Sequence, residues 1–178
     1  MPAVKAPVLS LSEWIVLSLV CEGLTHGNAV TRLLRREGEL GQIWSVHKAV
    51  VYRSLGRLTD LGLIQVTGEE PSTEGPVRIL VDATEAGREA ARAWQRQPAG
   101  HARDVRSELL VKLALLHRIG EDPGNLLAAQ HAQLLLVSAA LRDRLAAVNG
   151  FDRTLLQWRY ASAQAALSFL ESQLSAQP

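Results

Sequence analysis

The spacing of apolar residues predicts three helices in the first sixty positions. From Ser12 to Glu22 the chain is apolar on nearly every side, which is typical of a helix covered on several faces, with Ser12 as its cap. A second helix is predicted from about His26 to Glu37 and a third from about Val46 to Leu61. In the third, apolar residues recur at spacings of four and three and form one buried stripe: Val51, Leu55 and Leu58.

The pattern then changes from the period of helices to that of strands. Residues 63–82 predict a two-stranded hairpin around the turn sequence PSTEGP, and Thr84 caps a fourth predicted helix that ends near Pro98. Three helices followed by two strands are the order of a winged helix-turn-helix. We therefore predict a mainly α fold with a small β-hairpin wing, in which residues 1–98 form a DNA-binding domain.

Residues 99–178 contain three long helical segments and no strand signal. Two of the segments carry leucine-rich stripes with the spacing of helix–helix seams. Such stripes are buried either by helices of the same chain, as in an ordinary bundle, or by a second chain. We favour a second chain, because so short a segment offers few covering helices, and predict an antiparallel helical dimerisation domain. Its candidate contact residues are Leu127, Leu134, Leu141, Leu156, Tyr160, Ala163, Leu167, Leu170 and Leu174.

Composition excludes several classes of protein. The 178 residues are 47% hydrophobic and 21% charged with a net charge of +1, which is typical of a globular protein and not of a polybasic disordered one. The single cysteine, Cys21, permits neither an intrachain disulfide nor a zinc cluster. No signal peptide or membrane span is recognisable, so we expect a cytoplasmic protein without membrane contact. Catalytic and metal-binding motifs are also missing, and we expect no enzymatic activity, no cofactor and no metal.

One stretch of the chain is locally basic. Positions 30–57 contain six Lys or Arg and two Glu, the electrostatic pattern expected where a protein meets the phosphates of double-stranded DNA. A charged helix face is often merely solvated, but this one falls on the helix that a winged helix inserts into the major groove. Tyr52 has two interpretations, a half-buried packing residue or a DNA contact. The candidate DNA-binding residues are His47, Lys48, Ala49, Tyr52, Arg53 and Arg57 on the third helix and Arg78 in the wing.

Three sequence runs resemble the PadR family of bacterial transcriptional regulators: HGNAVTRLLRREG, VVYRSLGRLTDLGLI and TEGPVRILVDATEAGREA. They are similar to the family's HGY-type second helix, its LYPLLKRLEEEGLI-type recognition helix and its GPPRKYYRLTEAG-type wing. Asn28 stands where the family has Tyr, and HKAV at 47–50 replaces a small SPGT-like sequence. We add Asn28 to the candidate DNA-binding residues and expect an operator unlike the family's commonest one. The positions that match are His26, Gly27, Tyr52, Leu55, Arg57, Leu58, Gly62, Leu63, Ile64, Gly75, Pro76, Arg78, Thr84, Glu85, Ala86 and Gly87.

The resemblance implies a homodimeric repressor that binds a pseudo-palindromic operator and is released by a small aromatic or drug-like effector. Trp94, Trp158 and Trp14 are able to stack on a flat effector where the fourth helix and the C-terminal helices meet, although each is also a large hydrophobe suited to an interface. The alternative function is a winged-helix module that binds proteins and not DNA. A ligand-binding protein with an incidental winged helix would need a deep pocket with convergent polar groups, which the sequence does not identify.

Overall fold

The computed structural model describes residues 8–23, 25–71 and 77–176. The chain divides into two compact units, Met1–Trp94 and Gln95–Pro178, a few residues before the predicted boundary at 98. In the parts of the chain that the structure describes, every helix is too short or too polar to span a membrane.

The first unit contains the three predicted helices. Helix α1 (Leu11–Cys21) has the expected length and lies one position earlier, whereas α2 (Gly27–Leu34) and α3 (Lys48–Asp60) are shorter than expected. The cap of α1 is Ser10, and the prediction of Ser12 was wrong. Glu13 N–H donates to the Ser10 hydroxyl, and Ser10 N–H donates to Glu13 Oε2 at 2.6 Å, so the two residues form a reciprocal capping box.

The wing is part of a three-stranded antiparallel sheet. Strands β2 (Ile64–Glu70) and β3 (Arg78–Ala83) form the predicted hairpin, and a short strand β1 (Thr25–His26) pairs with the outer edge of β3, giving the order β1-β3-β2. Sequence analysis missed β1, because two residues cannot show an alternating pattern. Most of the predicted turn, including Gly75 and Pro76, lies outside the described residues.

The core of the first unit is built around α1. Ile15, Val16, Leu17 and Val20 are completely buried, as expected for a helix without a polar face. The α3 stripe of Val51, Leu55 and Leu58 is buried as predicted. Together with the three-helix order and the hairpin, this confirms the winged-helix fold.

Helix α4 (Glu85–Arg96) begins at the end of β3 and is fixed there at close range. The Thr84 hydroxyl accepts from Gly87 N–H at 3.1 Å and donates to the Gly62 carbonyl at 2.7 Å, so the predicted cap is confirmed. Gly87 packs so closely on Leu63 that a Cβ would collide with the Leu63 carbonyl oxygen. Glycine is therefore required where α4 crosses the start of the wing.

Two contacts join α4 to α1. The indole rings of Trp14 and Trp94 stack with centroids 5.4 Å apart and planes 3° from parallel. Arg88 donates to the Cys21 carbonyl at 3.2 Å and to Asp82 Oδ1 at 2.7 Å. These contacts hold α1, β3 and α4 as one body.

The second unit is helical in the described residues. A 3₁₀ turn (Ala102–Asp104) and a π-helical turn (Val105–Leu109) lead into α5 (Leu110–Arg118), which is followed by α6 (Gly124–Leu145) and α7 (Gly150–Ser175). Helices α6 and α7 form an antiparallel hairpin. Ser138 on α6 donates to Gln164 on α7 at 3.1 Å, and His131, two turns earlier on α6, lies 3.5 Å from Glu171, two turns later on α7.

The leucine stripes of α6 and α7 are covered by the chain itself. The expectation that they need a second chain was wrong, because a connection of only four residues turns α7 back onto α6 so that the two stripes face each other. The regular spacing of a heptad repeat shows that a helix packs against another helix. It does not show whether that other helix belongs to the same chain or to a second chain. Six of the nine candidate residues are at most 5% exposed, namely Leu127, Leu134, Leu156, Ala163, Leu167 and Leu170, and Leu141, Tyr160 and Leu174 are partly buried.

Polar side chains of the second unit hold the segment 97–100 that follows α4. Lys112 is completely buried, and its ammonium donates to the Gln97 carbonyl at 2.8 Å and to Glu108 Oε1 at 2.6 Å. Burial lowers the pKa of Lys112 although the Glu108 carboxylate acts in the opposite direction. Gln130, also buried, accepts from Ala99 N–H at 2.6 Å and donates to the Ala99 carbonyl. The segment is thus fixed by hydrogen bonds although it has no regular structure.

Two glycine-to-alanine substitutions test the packing of the first unit. Gly87→Ala will lower the free energy of unfolding by about 1–3 kcal/mol, because the new methyl group forces α4 away from Leu63. Gly56→Ala is the control: Gly56 is exposed in the middle of α3 with nothing within 4 Å of its Cβ position, so alanine will raise stability by about 0.5–1 kcal/mol. Urea unfolding measures both. Equal effects of the two substitutions would contradict the proposed close contact.

Candidate nucleic-acid interface

The exposed face of α3 carries most of the predicted DNA-binding residues. Because each residue turns the helix by about 100°, burying Val51, Leu55 and Leu58 leaves the opposite side to solvent. Among the described residues, that side of α3 is polar and cationic. It is formed by the N-cap residue His47 together with Lys48, Ala49, Tyr52 and Arg53, all exposed.

Tyr52 connects this face to the start of α2. Its ring lies on Gly27, where a Cβ would stand only 2.8 Å from the ring carbon Cζ. Its hydroxyl is 3.4 Å from Asn28 Oδ1, and Lys48 Nζ lies 5.7 Å from the ring centroid, within range of a cation–π contact. Tyr52 remains 46% exposed. It is therefore a packing residue whose outer edge is still accessible, which combines the two interpretations made from sequence.

A groove of about 280 Å³ separates α3 from the wing. Its polar walls come from Asn28 and Tyr52 on one side and Arg78 on the other, and its floor is apolar. Among the residues that the structure describes, the ion-pair partner of Arg78 is Glu70, at 3.4 Å on the surface, and such pairs contribute little to stability. The guanidinium of Arg78 can therefore exchange Glu70 for an external anion at small cost.

A basic recess of about 430 Å³ lies beside this groove, at the first turn of α2. Arg32, Arg35 and Arg78 line it together with His26, whose Nδ1 caps α2 by accepting from Ala29 N–H at 3.3 Å. Neither Arg32 nor Arg35 was among the candidate residues selected from sequence. The sequence signal that could have identified them is their spacing of three residues, because residues three apart lie on the same side of a helix.

Arg57 is engaged in contacts within the chain, although its side chain is 52% exposed. Its guanidinium donates to Glu13 Oε1 at 2.9 Å and to the Val8 carbonyl at 3.1 Å, and so connects α3 to the start of α1. Burial acts to raise the pKa of Glu13, but hydrogen bonds from Ser10 and the charge and hydrogen bond of Arg57 outweigh it and hold the pKa below its usual value. The DNA contact of Arg57 that was expected from sequence would have to compete with this pair, and we leave Arg57 out of the interface.

The three tryptophans selected as effector contacts are divided between the two units. Trp14 and Trp94 stack on each other in the first unit, and Trp94 is only 7% exposed, so this pair has the packing role that was the alternative for each. Trp158 is in the second unit and is 72% exposed, lining a cavity there. Of the three, Trp158 alone presents an accessible ring.

Two further chemistries find no support in the described residues. Burial raises the pKa of the Cys21 thiol to about 11, so the reactive thiolate is scarce at neutral pH. No group of three or more His, Cys, Asp or Glu side chains is placed to hold a metal ion, among the residues that the structure describes.

The comparisons with known proteins concern the backbone. No family model matches this chain, and no curated protein sequence matches it. Among solved structures it is similar to Bacillus subtilis PadR in complex with operator DNA, with 19% identity and a TM-score of 0.49 over 95% of this chain and 99% of that one. The structure of the same protein with p-coumaric acid gives 22% identity and a TM-score of 0.43, over 93% and 98%. A PadR-like transcriptional regulator from Bacillus cereus gives 19% and 0.40, over 92% and 96%. At such similarity, function has to be inferred from the side chains of the interface itself.

The Glu13–Arg57 pair makes stability depend on pH. Because the pKa of Glu13 is lower in the folded chain than in the unfolded one, its contribution is fully present above the unfolded value and is lost as the pH falls through the folded value. We expect Glu13→Gln to be less stable than the natural chain at about pH 7, and the difference to shrink towards about pH 3. Glu37→Gln, at an exposed position, is the control. Urea midpoints across this range measure the effect, and parallel curves for the natural chain and Glu13→Gln would exclude it.

Proposed function

We propose that this chain is a sequence-specific DNA-binding transcriptional regulator of the PadR type, in which α3 enters the major groove. The observation that carries the proposal is the outward face of α3. Lys48, Tyr52 and Arg53 are exposed together on a helix whose opposite side is buried, which is the arrangement that a recognition helix needs. The sequence resemblance over residues 26–87 supports the same assignment.

Within this interface, each group has a role that follows from its chemistry. Lys48 and Arg53, at the outer side of α3, are the donors for base edges, and guanine N7 and O6 are the acceptors that such cations prefer. Arg32 and Arg35 in the basic recess, with Arg78 in the wing, hold phosphates and so fix the position of α3. Asn28 and Tyr52 contact each other, with the Tyr52 hydroxyl 3.4 Å from Asn28 Oδ1. They connect the residues assigned to bases with those assigned to phosphates.

We further propose that the regulator acts as a homodimeric repressor on a pseudo-palindromic operator and is released by a small effector. Two copies of one recognition helix match the two half-sites of such an operator. Since the leucine stripes are covered within the chain, the contact between copies has to use residues that are still exposed. Leu135 and Leu136 on α6 are 48% and 74% exposed and are our candidates.

Separate substitutions distinguish base contacts from phosphate contacts. Lys48→Ala with Arg53→Ala will weaken binding to a duplex from the chain's own promoter region by about 1–3 kcal/mol for each base contact that is removed, and will reduce the preference over scrambled DNA. Arg32→Ala with Arg35→Ala will weaken both duplexes alike and reduce the slope of log K against log salt by about 0.9 for each phosphate contact. Fluorescence anisotropy measures both at several salt concentrations.

The control for these variants is Arg92→Ala. Arg92 is an exposed arginine on α4 that lines neither the groove nor the recess, and its ion-pair partner among the described residues is Glu85, at 3.9 Å on the surface. Its removal will leave affinity and preference unchanged. If the natural chain binds promoter and scrambled DNA equally, or if Arg92→Ala matches the Lys48 and Arg53 double variant, the proposed recognition face is wrong.

Self-association has its own test. Sedimentation at micromolar concentration will give twice the 19.4 kDa mass of one chain. Leu135→Ser with Leu136→Ser will shift the equilibrium towards the single chain without reducing helicity, because both side chains are exposed in the single chain. Arg144→Ser, an exposed change on the same helix, is the control. A natural chain that sediments as one copy would exclude the homodimer.

A further inference from the structure

Gly56, in the middle of α3, is a glycine that no contact among the described residues requires. Its backbone is that of an ordinary helical residue, outside the left-handed region that favours glycine. No atom that the structure describes lies within 4 Å of the position that its Cβ would take, whereas a Cβ at Gly27 or Gly87 would collide with a neighbour. Glycine destabilises the interior of a helix relative to alanine. The first unit would therefore be more stable with alanine at position 56.

The missing side chain of Gly56 opens the groove between α3 and the wing. Gly56 follows Tyr52 by four positions and Arg53 by three, so it lies on the outward side of α3 with them. It is exposed and lines the groove, with Ile79 among the lining residues from β3. Glycine is the residue that permits the closest approach of a ligand to the backbone. A molecule in this groove can therefore come nearer to the axis of α3 than any side chain at position 56 would allow.

The wing side of the groove is apolar although it faces water. Val66, Val77 and Ile79 all line the groove and are about half exposed. Such side chains gain free energy when a nonpolar surface covers them. The groove therefore fits an occupant with a nonpolar side.

The groove is contiguous with the basic recess at the start of α2. His26, Asn28 and Arg78 line both, and Arg32 and Arg35 add two further cations to the recess. Together, the groove and the recess form a track that is apolar along the wing and cationic beside α2. Its occupant has to combine a nonpolar side with negative charge.

The sugar–phosphate backbone of DNA has this combination. Its deoxyribose rings present C–H groups, and each nucleotide carries one negative phosphate. A single strand also fits the size of the groove, about 280 Å³, whereas a helix of a partner protein, about 10–12 Å across, is too wide for it.

We infer that the groove holds the sugar–phosphate backbone of one DNA strand, with deoxyribose rings against Val66 and Ile79 and a phosphate at Arg78. Gly56 is a positioning residue: it contacts no base, but it lets this strand approach α3 and so sets how deeply the helix enters the major groove. The inference rests on the proposed function, to which it adds the path of one strand and a role for a residue without a side chain.

Two substitutions at position 56 separate binding from stability. Alanine and leucine favour helices more than glycine does, so Gly56→Ala and Gly56→Leu will both raise the urea midpoint. Affinity for the promoter duplex will nevertheless fall, about fivefold for Gly56→Ala and at least about thirtyfold for Gly56→Leu, because the new side chain occupies space that the strand needs. A residue with a purely structural role would change stability and affinity in the same direction.

The control for added bulk is Ala86→Leu. Ala86 is an exposed position of α4 that lines neither the groove nor the recess. This variant will bind the promoter duplex as the natural chain does. Equal losses of affinity in Ala86→Leu and Gly56→Leu would overturn the inference, and so would a lower urea midpoint in Gly56→Leu.

The DNA strand itself supplies a second readout. Hydroxyl radicals cleave DNA at its deoxyribose rings, and in the natural complex a short run of sugars on one strand of each half-site will be protected. At saturating protein, Gly56→Leu will lose this protection and Ala86→Leu will keep it. A neutral methylphosphonate beside the protected run will weaken binding of the natural chain but will not weaken Arg78→Ala further, because the contact between this phosphate and Arg78 is already lost. Additive effects of the two changes would exclude the phosphate contact.

The same measurements separate this inference from the proposed function. If the natural chain binds promoter and scrambled duplexes equally, the proposed function fails and the strand path fails with it. If the natural chain prefers the promoter but Gly56→Leu binds it equally well, the regulator stands and the assignment of the groove is wrong. Loss of affinity in Gly56→Leu with unchanged protection of the sugars would also exclude a strand in the groove.

Discussion

The burial of α1 on all sides is the constraint on which the first unit depends. Helices α2 and α3, strand β3 and, through the stacked tryptophans, helix α4 all pack against it. A helix without a polar face has to be surrounded, and each surrounding element can give it only one face. The exposed side of α3 is therefore a consequence of how the core packs. Because Val51 and Leu58 are buried, Lys48 and Arg53, on the other side of the helix, face the solvent.

The outward orientation of α3 would by itself leave its cationic side chains free to change conformation. The contacts around Tyr52 limit this conformational freedom. Gly27 gives the ring a place to lie, Asn28 is within reach of its hydroxyl, and Lys48 extends over its outer side. Side chains that are already positioned lose less conformational entropy on binding. The absence of a Cβ at one position of α2 thus helps to organise residues on a different helix.

Sequence analysis succeeded where the deciding information is local. The period of Val51, Leu55 and Leu58 is set by the helix itself. Thr84 caps α4 by accepting a hydrogen bond from Gly87 N–H, only three positions later. A local signal was also overlooked, since Ser10 stands three positions before Glu13 in the spacing of a capping box. Pairings between distant positions could not be predicted: Glu13 and Arg57 are 44 positions apart, and nothing in either neighbourhood indicates the other. The same holds for the cavity of the second unit, whose walls come from three separate segments.

The four-residue connection between α6 and α7 has a consequence for how the protein responds to dilution. Chains whose apolar seams are covered only by a partner lose their fold when the partner dissociates, so that their stability depends on concentration. Here the seams are closed within one chain, with Leu134, Leu167 and Leu170 in a common core. The fold of this unit therefore does not depend on a second copy. If copies of the chain assemble as proposed, each can fold before it meets another, and dilution would separate the copies without unfolding them.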